Sequence, residues 1–322
     1  MGDCDAVDWD IDRRLMPGIV HGVVELARPG SISVWISRVE VYPNGVDVTL
    51  RAVGDFPWHE LPQMAVARPA ATVQYADGRR ATAAAPMILP EGPQGGPLVL
   101  PGAAGVHGFS PEGAHGDWFF WPFPDDGDLE LTFDYAPLGV DAETVVLDGD
   151  ALRAAATRIV IPFAAGAPQA TPVAEPVIDS LGEPGPPRAR TSVPVPSSLA
   201  VELARSDDVA LWAGPFFVHD GWADVEVRVL PRDTIPGFDV DDPDFMFEAT
   251  RPEGRPRFAV VETGRRSVRS GPGSGMLGPT QYRTGLHIDP LPDSGTVTIA
   301  TDWPLLGVPE SHVTVDVAAL RR

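Results

Sequence analysis

The sequence predicts an all-β protein made of two tandem copies of an antiparallel β-sandwich, each ending in a short helix. Two observations lead to this prediction. The chain repeats itself, and short runs of alternating apolar and polar residues are separated by Gly, Pro and Asp turns. We expect an immunoglobulin-like topology for such strands. The cysteine pair of antibody domains is missing, because the chain has a single cysteine.

The internal repeat covers both ends of the two copies. Residues 122–153 align without a gap on residues 290–321, and Val24–Arg28 recurs as Val201–Arg205. Identical residues in the same order over such a span indicate two copies of one domain. A linker rich in Pro, Ala and Gly is expected to be extended and semi-rigid. The predicted organisation is an acidic N-terminal arm (1–16), copy one (17–163), a Pro/Ala/Gly-rich linker (164–194) and copy two (195–322).

The first elements of copy one form a predicted hairpin. Val46, Val48 and Leu50 alternate with polar residues, which predicts a half-buried strand. An Asn-Gly pair before this strand favours a tight turn. In the preceding strand the apolar phase slips by one residue after Ile36, and copy two has a Gly-Pro pair at the same point. Such a slip predicts a β-bulge.

Further strands and a closing helix follow the hairpin. Alternation predicts strands over Thr72–Tyr75, Leu129–Tyr135 and Val145–Leu147. Asp148 comes directly after the last of these strands and is predicted to be the N-cap of a short helix. The counterpart of this helix in copy two is predicted to begin at Asp316.

Composition and charge exclude several function classes. The net charge of −21 argues against nucleic acid and anionic membranes as partners. The chain contains no Lys, which Schiff-base chemistry and P-loop phosphate binding require. It has a single cysteine, no signal-peptide pattern and no apolar run long enough to span a membrane. These features predict a cytoplasmic protein.

Two groups of residues resemble weak metal sites. His107 and His115 share a predicted Gly-rich loop, and a histidine pair can hold a metal ion. We interpret both histidines as exposed, because their spacing matches no defined metal motif. We interpret an acidic cluster in copy two as a solvated loop, with a calcium site as the alternative. No cofactor is therefore expected. The cluster consists of Asp239, Asp241, Asp242 and Asp244.

The aromatic run Trp118–Trp121 is the clearest difference between the copies, because copy two has Leu286–Asp289 there. Alternate residues of a strand share a face, so we assign Phe119 and Trp121 to the outer face. An exposed aromatic cluster usually marks a partner surface. Cover by the linker or by copy two is the alternative interpretation. The predicted partner-binding residues are Trp118, Phe119, Trp121 and Phe123.

Three function hypotheses follow from these observations. The preferred one is a non-enzymatic protein-interaction or scaffold protein, which contacts a protein partner or a second copy of itself through copy one. The second is a carbohydrate- or calcium-dependent binding module that uses Trp121 or the acidic loop. The third is a hydrolase with an active site between the copies. Catalytic triads are assembled in space, so the sequence alone does not test the third hypothesis.

Overall fold

The computed structural model confirms the all-β class, since every described strand pairing is antiparallel. The chain divides into two compact units: unit 1 contains Pro17–Ile159, and unit 2 contains Val160–Arg322 with Arg13–Met16. None of the described helices is long and apolar enough to cross a membrane. The structure describes residues 12, 14–20, 24–27, 32–53, 70–83, 96–101, 108–110, 113–135, 140–167, 170–173, 178, 194–235, 254, 256–262, 265–267, 277–278 and 281–321.

Unit 1 contains two antiparallel sheets and one helix. Its elements are β1 (Gly18–Val20), β2 (Val24–Ala27), β3 (Ser33–Tyr42), β4 (Gly45–Val53), β5 (Ala70–Tyr75), β6 (Arg80–Thr82), β7 (Leu98–Pro101), β8 (Gly108–Ser110), β9 (Gly113–Trp121), β10 (Leu129–Tyr135), β11 (Val140–Leu147) and α1 (Gly149–Ala156). The large sheet has the order β1-β3-β4-β9-β7, with β2 also paired to β3 and β8 to β9. The small sheet has the order β11-β10-β5-β6.

Unit 2 also contains a large and a small antiparallel sheet. Its elements are β12 (Val195–Pro196), β13 (Val201–Arg205), β14 (Val209–Val218), β15 (Ala223–Pro231), β16 (Arg257–Glu262), β17 (Arg265–Ser267), β18 (Leu277–Gly278), β19 (Gln281–Ile288), β20 (Thr296–Trp303), a 3-10 turn (Pro304–Leu306), β21 (Val308–Asp316) and α2 (Val317–Leu320). The large sheet has the order β12-β14-β15-β19-β18, with β13 also paired to β14. The small sheet has the order β17-β16-β20-β21.

Alternate strand residues from both sheets form one hydrophobic core in each unit. Burying a large aliphatic side chain contributes about 1.5–3 kcal/mol, so these cores supply most of the favourable folding energy. Central residues of the unit 1 core are Val46, Val48, Val73, Trp118, Phe120, Leu131, Phe133 and Leu152. Central residues of the unit 2 core are Val225, Val227, Phe258, Leu286, Ile299, Trp303 and Leu320.

The predicted hairpin and bulges are present in the large sheets. β3 and β4 are joined by a tight turn, and their register shifts between Ile36 and Arg38. In unit 2 the register of β14 and β15 shifts between Ala213 and Phe216. The Gly-Pro pair of copy two lies inside this second shift, where a proline does not interrupt a ladder of N–H donors.

Both closing helices begin at the predicted N-cap residues. The Asp148 carboxylate accepts hydrogen bonds from the N–H groups of Asp150 and Ala151, at 2.7 and 3.1 Å. Asp316 caps α2 in the same way, by accepting the N–H of Ala318 at 2.9 Å. Aspartate suits this position because its oxygens satisfy donors that have no partner within the helix.

The prediction that β4 is half-buried is wrong. Its apolar residues Val46 and Val48 are fully buried, but the polar Asp47 and Thr49 are also only 1% and 5% exposed. Alternation identifies the core face of the strand correctly. It does not show whether the opposite face is open to solvent, because other parts of the protein can cover that face.

Prolines mark the outer strands of both large sheets. Pro17 directly precedes β1, Pro101 ends β7 and Pro196 ends β12, while Pro279 follows β18 in the sequence. Proline has no N–H group, so a strand edge that contains it offers an incomplete set of hydrogen-bond donors to a further strand.

The described part of the predicted linker packs onto unit 2. The N–H of Val173 donates to the carbonyl of Glu310 at 2.9 Å, and Pro172 forms an antiparallel bridge with Ser311. Ile178 packs in a small cluster with Ala259 of β16 and Ala300 of β20. These contacts agree with an extended segment that follows a domain surface.

Candidate functional site

The aromatic strand β9 presents two different faces, as its alternation predicts. Trp118 and Phe120 lie in the main core of unit 1, where both rings pack edge-on against Phe133, with centroids 5.8 and 6.5 Å away. Phe119 and Trp121 belong to a separate apolar cluster on the other face. The assignment of these side chains to faces is therefore confirmed.

The expected exposure of Phe119 is wrong, because this side chain is fully buried. Its ring packs edge-on against Tyr42, with a centroid distance of 6.2 Å and an interplanar angle of 77°, and Leu100 joins the same cluster. A Cβ atom on Gly45 would lie 2.4 Å from Cζ of Phe119. The ring thus occupies space that the missing side chain of Gly45 leaves free.

Burial separates the four predicted partner-binding residues into two pairs. Trp118 and Phe119 are 4% and 0% exposed, so they are core residues of unit 1. Trp121 and Phe123 are half-buried. Leu98, also half-buried, lies opposite Trp121 on the neighbouring strand β7. The partly accessible residues of the four are therefore Trp121, which packs with Phe119, and Phe123, which packs against the main core.

Charged side chains form a buried network on the outer face of the unit 1 large sheet. Nε of Arg38 donates to Oγ1 of Thr49 at 3.1 Å, and the Thr49 hydroxyl donates to Oδ1 of Asp117 at 2.5 Å. The carboxylate of Glu40 lies 3.3 Å from Nε of Arg38 and accepts a hydrogen bond from Tyr42. Buried charges are tolerated when they are paired and hydrogen-bonded. Each member of this network meets that condition.

The large sheet of unit 2 has a charged network in the corresponding strands. Oε1 of Glu226 accepts hydrogen bonds from Nε and Nη2 of Arg228, at 2.9 and 2.7 Å. Arg283 on the adjacent β19 brings Nη1 to 3.2 Å from the same oxygen. Arg228 is 1% exposed, whereas Glu226 is half-buried, so only the guanidinium side of this ion pair is fully shielded from solvent.

Two histidines, two aspartates and a tryptophan form a cluster of titratable and aromatic side chains in the described part of unit 2. Nδ1 of His287 is 3.1 Å from Oδ1 of Asp224, and its Nε2 is 3.8 Å from Oδ2 of Asp289. Nε2 of His219 is 3.9 Å from Oδ2 of Asp224. The His219 ring stacks on Trp222 at a centroid distance of 3.6 Å, and Trp222 also contacts His287.

This cluster can orient an imidazole ring. Asp224 fixes the orientation of the His287 ring through the contact at Nδ1, whereas Asp289 lies beyond hydrogen-bond distance of Nε2. A nucleophilic site requires, besides a base that a carboxylate orients, a hydroxyl or thiol within hydrogen-bond reach of that base. Within the described residues, no hydroxyl or thiol forms a hydrogen bond with Nε2 of His287. Nor do those residues form a group of three or more His, Cys, Asp or Glu side chains that could hold a metal ion.

The equivalent place in unit 1 has aromatic rings where unit 2 has histidines. The repeat keeps one aspartate in both copies and changes the rings around it. In unit 1 the Phe119 ring of β9 lies over Gly45. In unit 2 the smaller imidazole of His287 lies beside Trp222. The aligned pairs are Tyr42 and His219, Gly45 and Trp222, Asp47 and Asp224, and Phe119 and His287.

The weak metal predictions fall mostly outside the described residues. The acidic loop Asp239–Asp244 and His107 lie there, so the structure does not test them. His115 is described, and its assignment to a loop is wrong. It lies within β9, opposite Arg51 of β4.

Sequence reasoning missed the cluster around His287 because its members are distant in the sequence. Asp224 and His287 are 63 residues apart and are brought together by the pairing of β15 with β19. The available signal was the change from Phe119-Phe120-Trp121 to His287-Ile288-Asp289 between the copies, which replaces apolar by titratable residues on one face.

Among the groups outside the cluster with shifted pKa values, Tyr75 and Arg257 are stabilised in their protonated forms. Burial raises the pKa of Tyr75 above its usual value near 10, and the phenol donates a hydrogen bond to the carbonyl of Pro122 at 2.7 Å. Hydrogen bonding to Asp302 raises the pKa of Arg257. Both interactions favour the protonated form of the group.

Comparison with known proteins identifies no family. No protein-family model matches the chain, and no curated protein matches it. Among solved structures, the chain is similar to the conserved domain protein from Bacillus anthracis, with 8% sequence identity and a TM-score of 0.23. The match covers 92% of this chain and 91% of that chain. A TM-score of this size carries no argument about fold or function.

Proposed function

We propose that this chain is a tandem duplication of one immunoglobulin-like β-sandwich, and that it acts as a non-enzymatic protein-interaction or scaffold protein. The sequence repeat and the matching strand orders of the two units support the duplication. In unit 1 the orders β3-β4-β9-β7 and β11-β10-β5 correspond to strands ABED and GFC of the immunoglobulin arrangement. The single cysteine is consistent with a reducing, cytoplasmic location.

The observation that carries the interaction proposal is the partial exposure of aromatic residues at the end of β9. Trp121 is half-buried and shares an apolar cluster with the half-buried Leu98 of β7. Phe123, two residues further along, is half-buried against the main core of unit 1. Aromatic anchors of this kind contribute most to binding when a partner completes their burial. The proposed partner is a protein, either a second copy of this chain or another polypeptide. The net charge of −21 disfavours nucleic acid.

A double substitution tests this surface. The wild type and a Trp121→Ser/Phe123→Ser variant are compared by sedimentation velocity over a concentration series, and by pull-down from lysate followed by native mass spectrometry. The expected result is a dimer or a defined complex that forms with the wild type and is lost in the variant. Val146→Ser is the matched control, because Val146 is 54% exposed on a different strand of unit 1. Equal binding by wild type and double variant, both folded, would refute the proposal.

A carbohydrate-binding module is the second candidate, since sugar rings stack on accessible indole faces and Trp121 is half-buried. Calorimetric titration with a glycan panel, with and without calcium, separates the two candidates. Heat that disappears in Trp121→Ser would favour the carbohydrate candidate. Heat that requires calcium would point to the acidic loop Asp239–Asp244, and no heat under either condition would exclude this candidate.

A further inference from the structure

Pro172 and Val173 dock along β21, the outer strand of the described small sheet of unit 2. Val173 donates its N–H to the carbonyl of Glu310 at 2.9 Å, and Pro172 pairs with Ser311 in an antiparallel bridge. The N–H of Ala170 donates to Oε1 of Glu202 at 2.8 Å. Main-chain pairing of an extended segment with a sheet edge is a recurring mode of peptide recognition.

Ile178 anchors the segment on the face of the same sheet. Its side chain is 5% exposed and packs against Ala259 and Ala300, which lie opposite each other on β16 and β20 and are fully buried. Two alanines in register leave a shallow depression between larger neighbours. A branched aliphatic side chain fills this depression.

A buried carboxylate holds the main chain of the anchor. Oε2 of Glu310 accepts the N–H of Ile178 at 2.9 Å, and Oε1 lies 2.8 Å from Nε2 of His312. Glu310 is 5% exposed, so this hydrogen bond to a charged group forms away from solvent. The donor is a peptide N–H, which any extended peptide other than one with proline at that position can supply.

Unit 1 lacks these docking features at the aligned positions. Thr132 stands in place of Ala300, and its register partner on β5 is Thr72 instead of an alanine. Ala142 stands in place of Glu310. The two copies therefore differ at the positions that contact Ile178, which indicates that the depression and the carboxylate are specific to unit 2.

We infer that this sheet surface of unit 2 is a peptide-binding groove, which Pro172, Val173 and Ile178 of the same chain occupy. Its ligand in another protein is an extended segment with a branched aliphatic residue whose N–H reaches Glu310. Like the proposed function, this groove would bind a polypeptide. It lies on a different surface from Trp121, and peptide binding there does not depend on that residue. A tethered occupant competes at an effective concentration near the millimolar range, so an external peptide binds the wild type weakly.

Fluorescence anisotropy with a labelled synthetic peptide of residues 168–180 tests the groove in the full-length protein. The Val173→Pro/Ile178→Asp variant removes one donor and the aliphatic anchor of the internal segment. We expect it to bind the peptide at least about tenfold more tightly than the wild type does. A peptide carrying Asp in place of Ile178 should bind neither protein. Val146→Asp, an equivalent change on an exposed strand of unit 1, should bind like the wild type.

Further variants test the role of Glu310 and separate loss of peptide binding from loss of folding. Glu310→Gln added to the opened variant should weaken peptide binding at least about tenfold, because the charged acceptor is lost. If the double variant does not fold, Ile178→Asp alone replaces it. A folded, opened variant that binds no better than the wild type, or that binds both peptides equally, would overturn the inference. Trp121→Ser/Phe123→Ser should leave peptide binding unchanged, so failure of the aromatic surface and failure of the groove are distinguishable.

Discussion

Asp224 lies directly opposite His287 on neighbouring antiparallel strands, with Oδ1 and Nδ1 3.1 Å apart. The same register in unit 1 places Asp47 opposite Phe119. One aspartate position thus faces an imidazole in one unit and a phenyl ring in the other. The Asp224–His287 pair is therefore particular to unit 2, because the repeat keeps the aspartate but replaces the histidine by phenylalanine.

A double-mutant cycle measures the coupling in this pair. Asp224→Asn and His287→Gln are made singly and together, and the free energy of unfolding is measured in urea. We expect a coupling energy of about 0.5–1.5 kcal/mol, because the hydrogen bond is partly screened from water. Strictly additive effects of the two substitutions would show that the contact contributes nothing to stability.

Gly45→Ala tests the close packing around Phe119. The added Cβ would lie 2.4 Å from the ring and 2.6 Å from the carbonyl oxygen of Phe120, so the strand must shift. We expect a loss of about 1–3 kcal/mol in the free energy of unfolding, as for other overpacked sites. Gly96→Ala is the control, because nothing lies within 4 Å of its added Cβ. Equal stability of both variants would contradict this packing.

Thr49→Val tests the buried network of unit 1. The substitution keeps the shape of the side chain but removes the hydroxyl that links Arg38 and Asp117. We expect thermal and urea unfolding to show a loss of about 1–3 kcal/mol, because two buried charged groups lose a hydrogen-bond partner. Thr144→Val, at an exposed position, should change stability by less than about 0.5 kcal/mol. Similar effects at both sites would argue against the network.

Tyr75→Phe should alter the alkaline limb of the stability curve. Since burial raises the pKa of Tyr75 in the folded state, the unfolded chain loses this proton first, at its usual pKa near 10. The contribution of the Tyr75 phenol to the free energy of unfolding is therefore complete below pH 10 and is lost as the pH rises above that value. The phenylalanine variant should be about 1 kcal/mol less stable at pH 8 and show a shallower decline above pH 10.

Because the chain contains no lysine, the alkaline change in stability is easier to assign to tyrosine. Lysine titrates near pH 10.4 and would normally dominate the same range, but this chain contains none. Urea unfolding of wild type and variant at several pH values between 8 and 11 is sufficient. Parallel curves over the whole range would show that Tyr75 does not cause the alkaline loss of stability.

Local chemistry made much of the fold predictable. The phase slip after Ile36 predicted the bulge, and Asp148 predicted the start of α1, because each depends on residues close in the sequence. The burial of Asp47 and Phe119 was not predictable in this way. It depends on what covers the outer sheet face, and a strand's alternation is the same whether that face is covered or open.

The candidate sites were the least predictable part. The contacts of His287 depend on the register of β15 with β19, and those of Ile178 on two alanines that come from different strands. A comparison of the two copies was the only sequence signal for both. The aligned positions carry residues of different chemistry: Phe119 in copy one corresponds to His287 in copy two, and Ala142 corresponds to Glu310.

The prolines at the outer strands of the large sheets bear on how the protein behaves at high concentration. A sheet with an open edge can recruit the edge of another molecule and grow into a fibril, because each added strand renews the same row of donors and acceptors. Pro101 and Pro196 each remove a donor from such a row, at the ends of β7 and β12. The two prolines therefore disfavour filament growth through these edges.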